Sequence, residues 1–252
     1  MKILYRAYQL LIAFPILLTL TALTAIVTII GCAFGRASVW GYYPAMVWSR
    51  LMCWGFLLPV RVEGKEQLAR GQSYIFVANH QGPYDIFLIY GFIGRSFKWM
   101  MKRSLRNIPL VGKACESAGH VFVDKSGPRA VYHTVEQGRS VLHGGTSLVV
   151  FPEGSRSFTG HMGVFRRGAF QLADELRLPV VPVTIDGSFD VLPRQRGFYF
   201  LDWHPLRLVI HAPIFPEGTG QEEVGRVSHL SQQQIMSALP PQYQGLVTNP
   251  DQ

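Results

Sequence analysis

His80 and Asp85 stand five residues apart in Asn79-His-Gln-Gly-Pro-Tyr-Asp85. An imidazole titrates near neutral pH and can accept a proton from a hydroxyl. A carboxylate on its other ring nitrogen fixes the tautomer and stabilises the imidazolium that forms. No Gly-x-Ser-x-Gly elbow marks a nucleophile carried by the chain itself. The simplest chemistry for this pair is therefore proton abstraction from a ligand's own hydroxyl. The bland alternative makes Asp85 a helix N-cap and His80 an ordinary loop residue.

The flanking residues must hold the pair in place. Tyr74–Ala78 is an apolar run that reads as a strand, Gln81-Gly-Pro83 as a turn, and Ile86–Tyr90 as the body of a helix that Asp85 opens. A second chemical cluster follows the apolar run Ser147–Phe151, where Pro152-Glu-Gly-Ser155 forms a turn and Arg156 follows it. Such a turn places Arg156 at the carboxyl edge of a sheet, where open α/β sheets bind ligands. A guanidinium there grips phosphate with two charge-assisted bonds, unless it merely pairs with Glu153. Gly154 lets backbone approach a ligand closely, and an N–H of this turn could stabilise an oxyanion.

Three further stretches occur in a fixed order with Asn79-His80-x-x-x-x-Asp85: Gly119-His-Val-Phe-Val-Asp-Lys125, Val149-Val-Phe-Pro-Glu-Gly-Ser-Arg-Ser157 and Leu178-Pro-Val-Val-Pro-Val-Thr184. Together they resemble the glycerophosphate acyltransferase family, and within it the bacterial 1-acylglycerol-3-phosphate acyltransferases, over about residues 60–215. The resemblance implies that His80 is a general base oriented by Asp85. It also implies that Lys102, Lys125, Glu153, Gly154, Ser155 and Arg156 bind substrate. Ser155 stands where the family has threonine, and Lys125 where it has arginine. Lysine keeps the charge but gives a point contact instead of a planar fork, which leaves a second acceptor, a different lyso-lipid, open. Val180–Thr184 reads as a buried strand, and the family associates this block with acyl-chain binding. The implied donor is acyl-acyl-carrier protein or acyl-CoA, and the implied acceptor is lysophosphatidic acid, giving phosphatidic acid. A catalytically silent membrane-binding protein on the same scaffold is the rival of a different class.

The balance of 24 Lys+Arg against 16 Asp+Glu gives a net charge of +8, which suits anionic partners. With 48% hydrophobic and only 16% charged residues, the partner is membrane lipid, not nucleic acid. Cys32, Cys53 and Cys115 form no Cys-x-x-Cys pair, and His120, His133, His143 and His161 have no ligand-like spacing. No disulfide framework, metal or other cofactor is expected.

Ala7–Gly35 carries no charge and exceeds the roughly 20 residues that a helix needs to cross a bilayer. An aromatic stretch from Ala37 to Val60 follows, interrupted by Arg50 as a snorkelling cation. Two arrangements fit: a span followed by an interfacial helix, or a two-helix hairpin dipping into one leaflet, which the resemblance favours. Pro15 is expected to kink the first helix and Gly31 to help end it. Beyond residue 60, strands alternate with helices, which predicts an α/β fold with a central, mostly parallel or mixed sheet flanked by helices. The expected divisions are membrane-anchoring helices over 1–60, an acyltransferase domain over 61–215 and a C-terminal segment over 216–252. Helices are expected over Pro128–Leu142 and Gly168–Leu176, a last one over Ser231–Ala238, and a loose tail from Pro240. The chain is expected at the cytoplasmic face of the inner cell membrane.

Overall fold

The computed structural model describes residues 2–123, 136–142, 144–196 and 200–247. Lys125, Arg129, His133, His143 and most of the expected 128–142 helix lie outside these residues, although 136–141 are helical.

The chain opens with one long helix, α1 (Lys2–Ala33), long and apolar enough by length and composition to cross a membrane. Only 17% of its most apolar window is buried against the rest of the molecule. Proline lacks an N–H and its ring crowds the carbonyl four residues back. The expected disturbance at Pro15 takes the form of a π-turn over Gln9–Ala13, in which Phe14 N–H donates to Gln9 O. Gln9 itself is fully buried, and its amide both donates to and accepts from the Leu201 backbone at 2.9 Å.

After Gly35, whose φ of +82° turns the chain, come the short α2 (Ala37–Trp40) and α3 (Tyr43–Gly55). The Tyr8 hydroxyl donates to Gly55 O at 2.7 Å and Trp48 Nε1 to Thr21 Oγ1 at 2.9 Å, so α1 and α3 form an antiparallel hairpin. Only α1 among the described helices is both long and apolar enough for a span; α3 has 13 residues. Two expectations need correction. Gly31 lies inside α1, and a Cβ there would sit 2.3 Å from the Trp40 ring, so the glycine makes room for Trp40 and does not end the helix. Arg50 does not snorkel outward: its Nε donates to Gly91 O at 2.8 Å and its guanidinium lies over the Phe92 ring. Arg50 thereby fastens α3 to α4 (Tyr84–Phe92), the helix that carries Asp85.

The sheet has seven strands: β1 (Val60–Glu63), β2 (Ile75–Ala78), β3 (Phe97–Lys102), β4 (Val121–Val123), β5 (Ser147–Val150), β7 (Val180–Asp186) and β8 (Leu206–Ile210), in the order β1-β8-β7-β2-β5-β3-β4. All pairs are parallel except β7–β8. β2 lies at the centre and is completely buried, because both sheet faces are covered, and its sequence is accordingly apolar throughout. Phe76 and Ala78 face α3 and α4 in one core; Ile75 and Val77 face α6 (Gly168–Leu176) and α8 (Gly220–Ser237) in the other. The remaining helices, α5 (Val111–Ser117) and α7 (Ser188–Val191), are short.

The C-terminal segment departs from expectation twice. α8 begins eleven residues before Ser231, because Val224, Val227, Ser231 and Ile235 form a narrow stripe packed on β7, where Thr184 Oγ1 donates to Ile235 O. The tail is tied down through residue 247: Leu246–Val247 (β9) pairs in parallel with Met162–Gly163 (β6), and Tyr243 Oη donates to Asp190 at 2.6 Å.

A buried histidine links the hairpin to the sheet. Trp99 N–H donates to His120 Nδ1 at 3.2 Å, so the ring hydrogen belongs on Nε2, toward Tyr90 Oη at 3.3 Å, and Tyr90 donates to Gly41 O at 3.0 Å. Burial, aided by Lys98, pushes the His120 imidazole down to about 3. Because this lies below the unfolded value, the unfolded chain binds the proton first. The stability is complete above about pH 6.5 and is lost as pH falls toward 3. Between pH 7 and 5 the expected loss from this group is about 2 kcal/mol. Urea unfolding at both pH values should show that slope in the parent and lack it in His120→Gln; equal slopes would refute the assignment.

Candidate active site

The site is built where β2 and β5 end side by side. Asn79 clamps the end of β2 to β7: its amide donates to Ile185 O and accepts from Ile185 N–H, both at 2.8 Å. Gln81 is buried and donates to Gly160 O at 2.9 Å. Gly82 has Ser188 O and Oγ 2.7 Å from where a Cβ would sit, so only glycine fits between α7 and the loop. The loop is thus pinned on both sides of His80.

His80 Nδ1 lies 2.6 Å from Asp85 Oδ2, and the same oxygen accepts Gly82 N–H at 2.9 Å. Asp85 is not an N-cap; it lies within the first turn of α4 and is fully buried. Its negative charge places the ring hydrogen on Nδ1, which leaves Nε2 with a lone pair. Nε2 has no hydrogen-bond partner among the described residues, and the side chain keeps 16% exposure. The ring stacks flat on Phe151, centroids 4.0 Å apart and planes 8° apart, so its plane is fixed by packing as well as by Asp85.

The turn after β5 grips the His80 backbone. His80 N–H donates to Glu153 Oε1 and Gly163 N–H to Glu153 Oε2, each at 2.7 Å, while Ser157 N–H donates to His80 O at 2.8 Å. Glu153, expected to bind substrate, lines the cavity beside Ser155 while both its oxygens hold two loops together. Burial pushes its carboxyl up to about 8, against the pull of the two N–H groups. Glu153→Gln would set an amide NH2 against one of these N–H donors, leaving a buried donor orphaned. The expected cost is about 1–3 kcal/mol, read as a lower unfolding midpoint, with a loss of turnover as His80 shifts. An unchanged midpoint and rate would count against this clamp.

Gly154 has φ +79°, and its N–H is consumed by Phe151 O at 3.0 Å. The N–H groups of Ser155 and Arg156 make no hydrogen bond among the described residues. Arg156 is partly buried; burial first and Arg194 second weaken its hold on its proton, and the nearby Asp85 opposes them. Ser155 and Arg156 line a cavity of about 230 Å³ with Phe158, His161, Arg166 and Val247. Lys102 ends β3, exposed, three residues beyond the Trp99–Val149 pair and on the same sheet edge. The structure therefore brings His80, Asp85, Glu153, Gly154, Ser155 and Arg156 together, with Lys102 at the end of β3, the strand next to β5. His161 and Val247 gave no sequence signal, since their places depend on the pairing of β6 with the tail. Among the described residues no group of three His, Cys, Asp or Glu side chains is placed to hold a metal ion.

Fold and site together define an α/β domain that presents a free imidazole nitrogen and a nearby arginine at the open edge of its sheet. A family model described as Acyltransferase matches residues 59–186, half of the chain, and the chain belongs to that family. It is 31% identical over 175 residues to the chloroplastic 1-acyl-sn-glycerol-3-phosphate acyltransferase LPAT1 of Arabidopsis thaliana, covering 69% of this chain and 48% of that protein. It is 33% identical to the 1-acyl-sn-glycerol-3-phosphate acyltransferase alpha of Homo sapiens, covering 67% of this chain and 60% of that one. The chain thus spans about half the length of the plant relative. The crystal structure of the 1-acyl-sn-glycerophosphate (LPA) acyltransferase PlsC from Thermotoga maritima superposes with a TM-score of 0.65 at 29% identity, covering 77% of each chain.

Proposed function

We propose that this chain transfers a fatty acyl group from acyl-acyl-carrier protein or acyl-CoA to the sn-2 hydroxyl of 1-acylglycerol-3-phosphate, giving phosphatidic acid. The observation that carries the reading is the 2.6 Å bond between His80 Nδ1 and a fully buried Asp85, with Nε2 left unpartnered among the described residues. The names of the relatives supply the substrate class.

In the proposed reaction the acceptor hydroxyl gives its proton to His80 Nε2 as its oxygen attacks the thioester carbonyl. Asp85 stabilises the imidazolium. The carbonyl oxygen becomes an oxyanion, for which the free N–H groups of Ser155 and Arg156 are the available donors. Collapse of the adduct breaks the C–S bond, and the imidazolium returns its proton to the departing thiolate. One ester and one thiol result. Residues 1–60 hold the site against the cytoplasmic face of the membrane, where a lipid acceptor and a soluble thioester meet.

The test is acyl transfer by the purified full chain in detergent micelles, using lysophosphatidate, lysophosphatidylcholine and monoacylglycerol, each with acyl-CoA and with acyl-acyl-carrier protein. Lysophosphatidate should give the highest kcat/KM. A preference for monoacylglycerol would replace the phosphate reading with a neutral-acceptor one, and no ester from any acceptor would remove the acyltransfer reading.

A further inference from the structure

Several arginines around the sheet have carboxylate partners: Arg196 pairs with Asp202, Arg207 with Glu63 and Arg226 with Glu223. Arg194 does not. It lies after α7, eight residues beyond the last residue that the family model matches, so no motif block contains it. Its Nη1 donates to Arg156 O at 2.8 Å, and its guanidinium stacks on the Phe158 ring at 3.9 Å. Gln195 Nε2 donates to Phe158 O at 2.6 Å, fixing the same turn a second time. Arg194 is thereby held in place by a carbonyl and an aromatic face, neither of which neutralises it. Its other N–H groups have no partner among the described residues. Arg156 likewise has no ion pair there, and the two guanidiniums repel each other.

Arg156 lines the cavity of about 230 Å³, Arg194 is bonded to the Arg156 backbone, and neither has an ion pair among the described residues, so the two guanidiniums make a place for a shared anion. We infer that Arg194 and Arg156 together cradle the acceptor's phosphomonoester, with Arg194 a specificity-determining residue supplied from outside the stretch that the family model matches; this rests on the acyltransfer reading above. A phosphomonoester carries about −1.5 to −2 charges near pH 7 and has three acceptor oxygens. It satisfies two forks at once, as a neutral or zwitterionic head does not.

The experiment compares the parent with Arg194→Ala, Arg194→Gln and Arg194→Lys as full chains in micelles. Arg194→Gln keeps a donor for Arg156 O and removes the charge, so it separates recognition from loop support. Two readouts are taken: kinetics with lysophosphatidate and monoacylglycerol, and binding of glycerol 3-phosphate by calorimetry. Alanine and glutamine should each raise the lysophosphatidate KM about 10- to 100-fold, the range expected for charge-assisted bonds. The change in kcat should be smaller, selectivity over monoacylglycerol should narrow, and glycerol 3-phosphate binding should weaken by a similar factor. Lysine should recover part of the loss. If glutamine behaves as the parent while alanine does not, Arg194 only supports the loop and the cradle is wrong; if neither changes KM or binding, it is wrong as well. Should the parent acylate nothing, binding still decides. Loss of glycerol 3-phosphate binding in both variants would keep the cradle while the acyltransfer reading falls.

Discussion

Replacing His80 should lower kcat/KM about 100- to 10,000-fold, the range for loss of a general base. The expectation rests on Nε2, the one ring nitrogen that Asp85 leaves free. His80→Ala has a drawback, because it strands a fully buried carboxylate with Gly82 N–H as its remaining partner. Stranding a buried charge costs about 3–5 kcal/mol, so a dead alanine variant could be an unfolded one. His80→Asn is the cleaner variant: its amide N–H reaches toward Asp85, and it offers no base at the Nε2 position. The folded asparagine variant should be as inactive as the alanine variant. Near-normal turnover in a variant whose unfolding midpoint matches the parent would end the assignment of His80 as base.

Asp85→Asn should reduce kcat by a comparable factor, about 100- to 10,000-fold, since loss of the orienting carboxylate costs serine proteases about 10,000-fold. Asp85 Oδ2 accepts two N–H groups, while Oδ1 is buried with no partner among the described residues. In one orientation of the asparagine, the oxygen keeps both bonds and the NH2 group fills the unpartnered position, so the ring is oriented but its imidazolium is no longer stabilised. In the other, the NH2 group faces His80 and forces the proton onto Nε2, which removes the base outright. Either way kcat falls more than KM rises, because the acceptor does not touch this buried group. A KM effect with intact kcat would mean that Asp85 shapes the binding site only.

The centre of the site was legible in the sequence because its cues are local. An apolar run that stops at Asn79-His80, a turn of Gly82 and Pro83, and a second apolar run place a histidine on a loop and an aspartate at the start of the next helix without long-range knowledge. Gly168–Leu176 was equally readable, and the helix has those bounds. What could not be read depends on contacts between distant residues. Glu153 has the composition of a ligand-binding carboxylate, yet both its oxygens meet backbone N–H groups, one from His80, 73 positions earlier. Arg50 carries the charge of a headgroup contact but finds Gly91 O on α4. The first half of α8 has too few apolar residues to betray a helix, and its stripe matters only once β7 lies beneath it. Likewise the tail has no strand pattern of its own and pairs with a two-residue β6.

The most direct measurement counts products. The parent chain and His80→Asn, both folded, would be given acyl-CoA and lysophosphatidate, with thiol release followed by absorbance and lipid products by mass. The parent should form phosphatidate and release one thiol per ester, whereas His80→Asn should form almost none. Thiol release that yields free fatty acid without ester, or equal phosphatidate formation by both proteins, would contradict it.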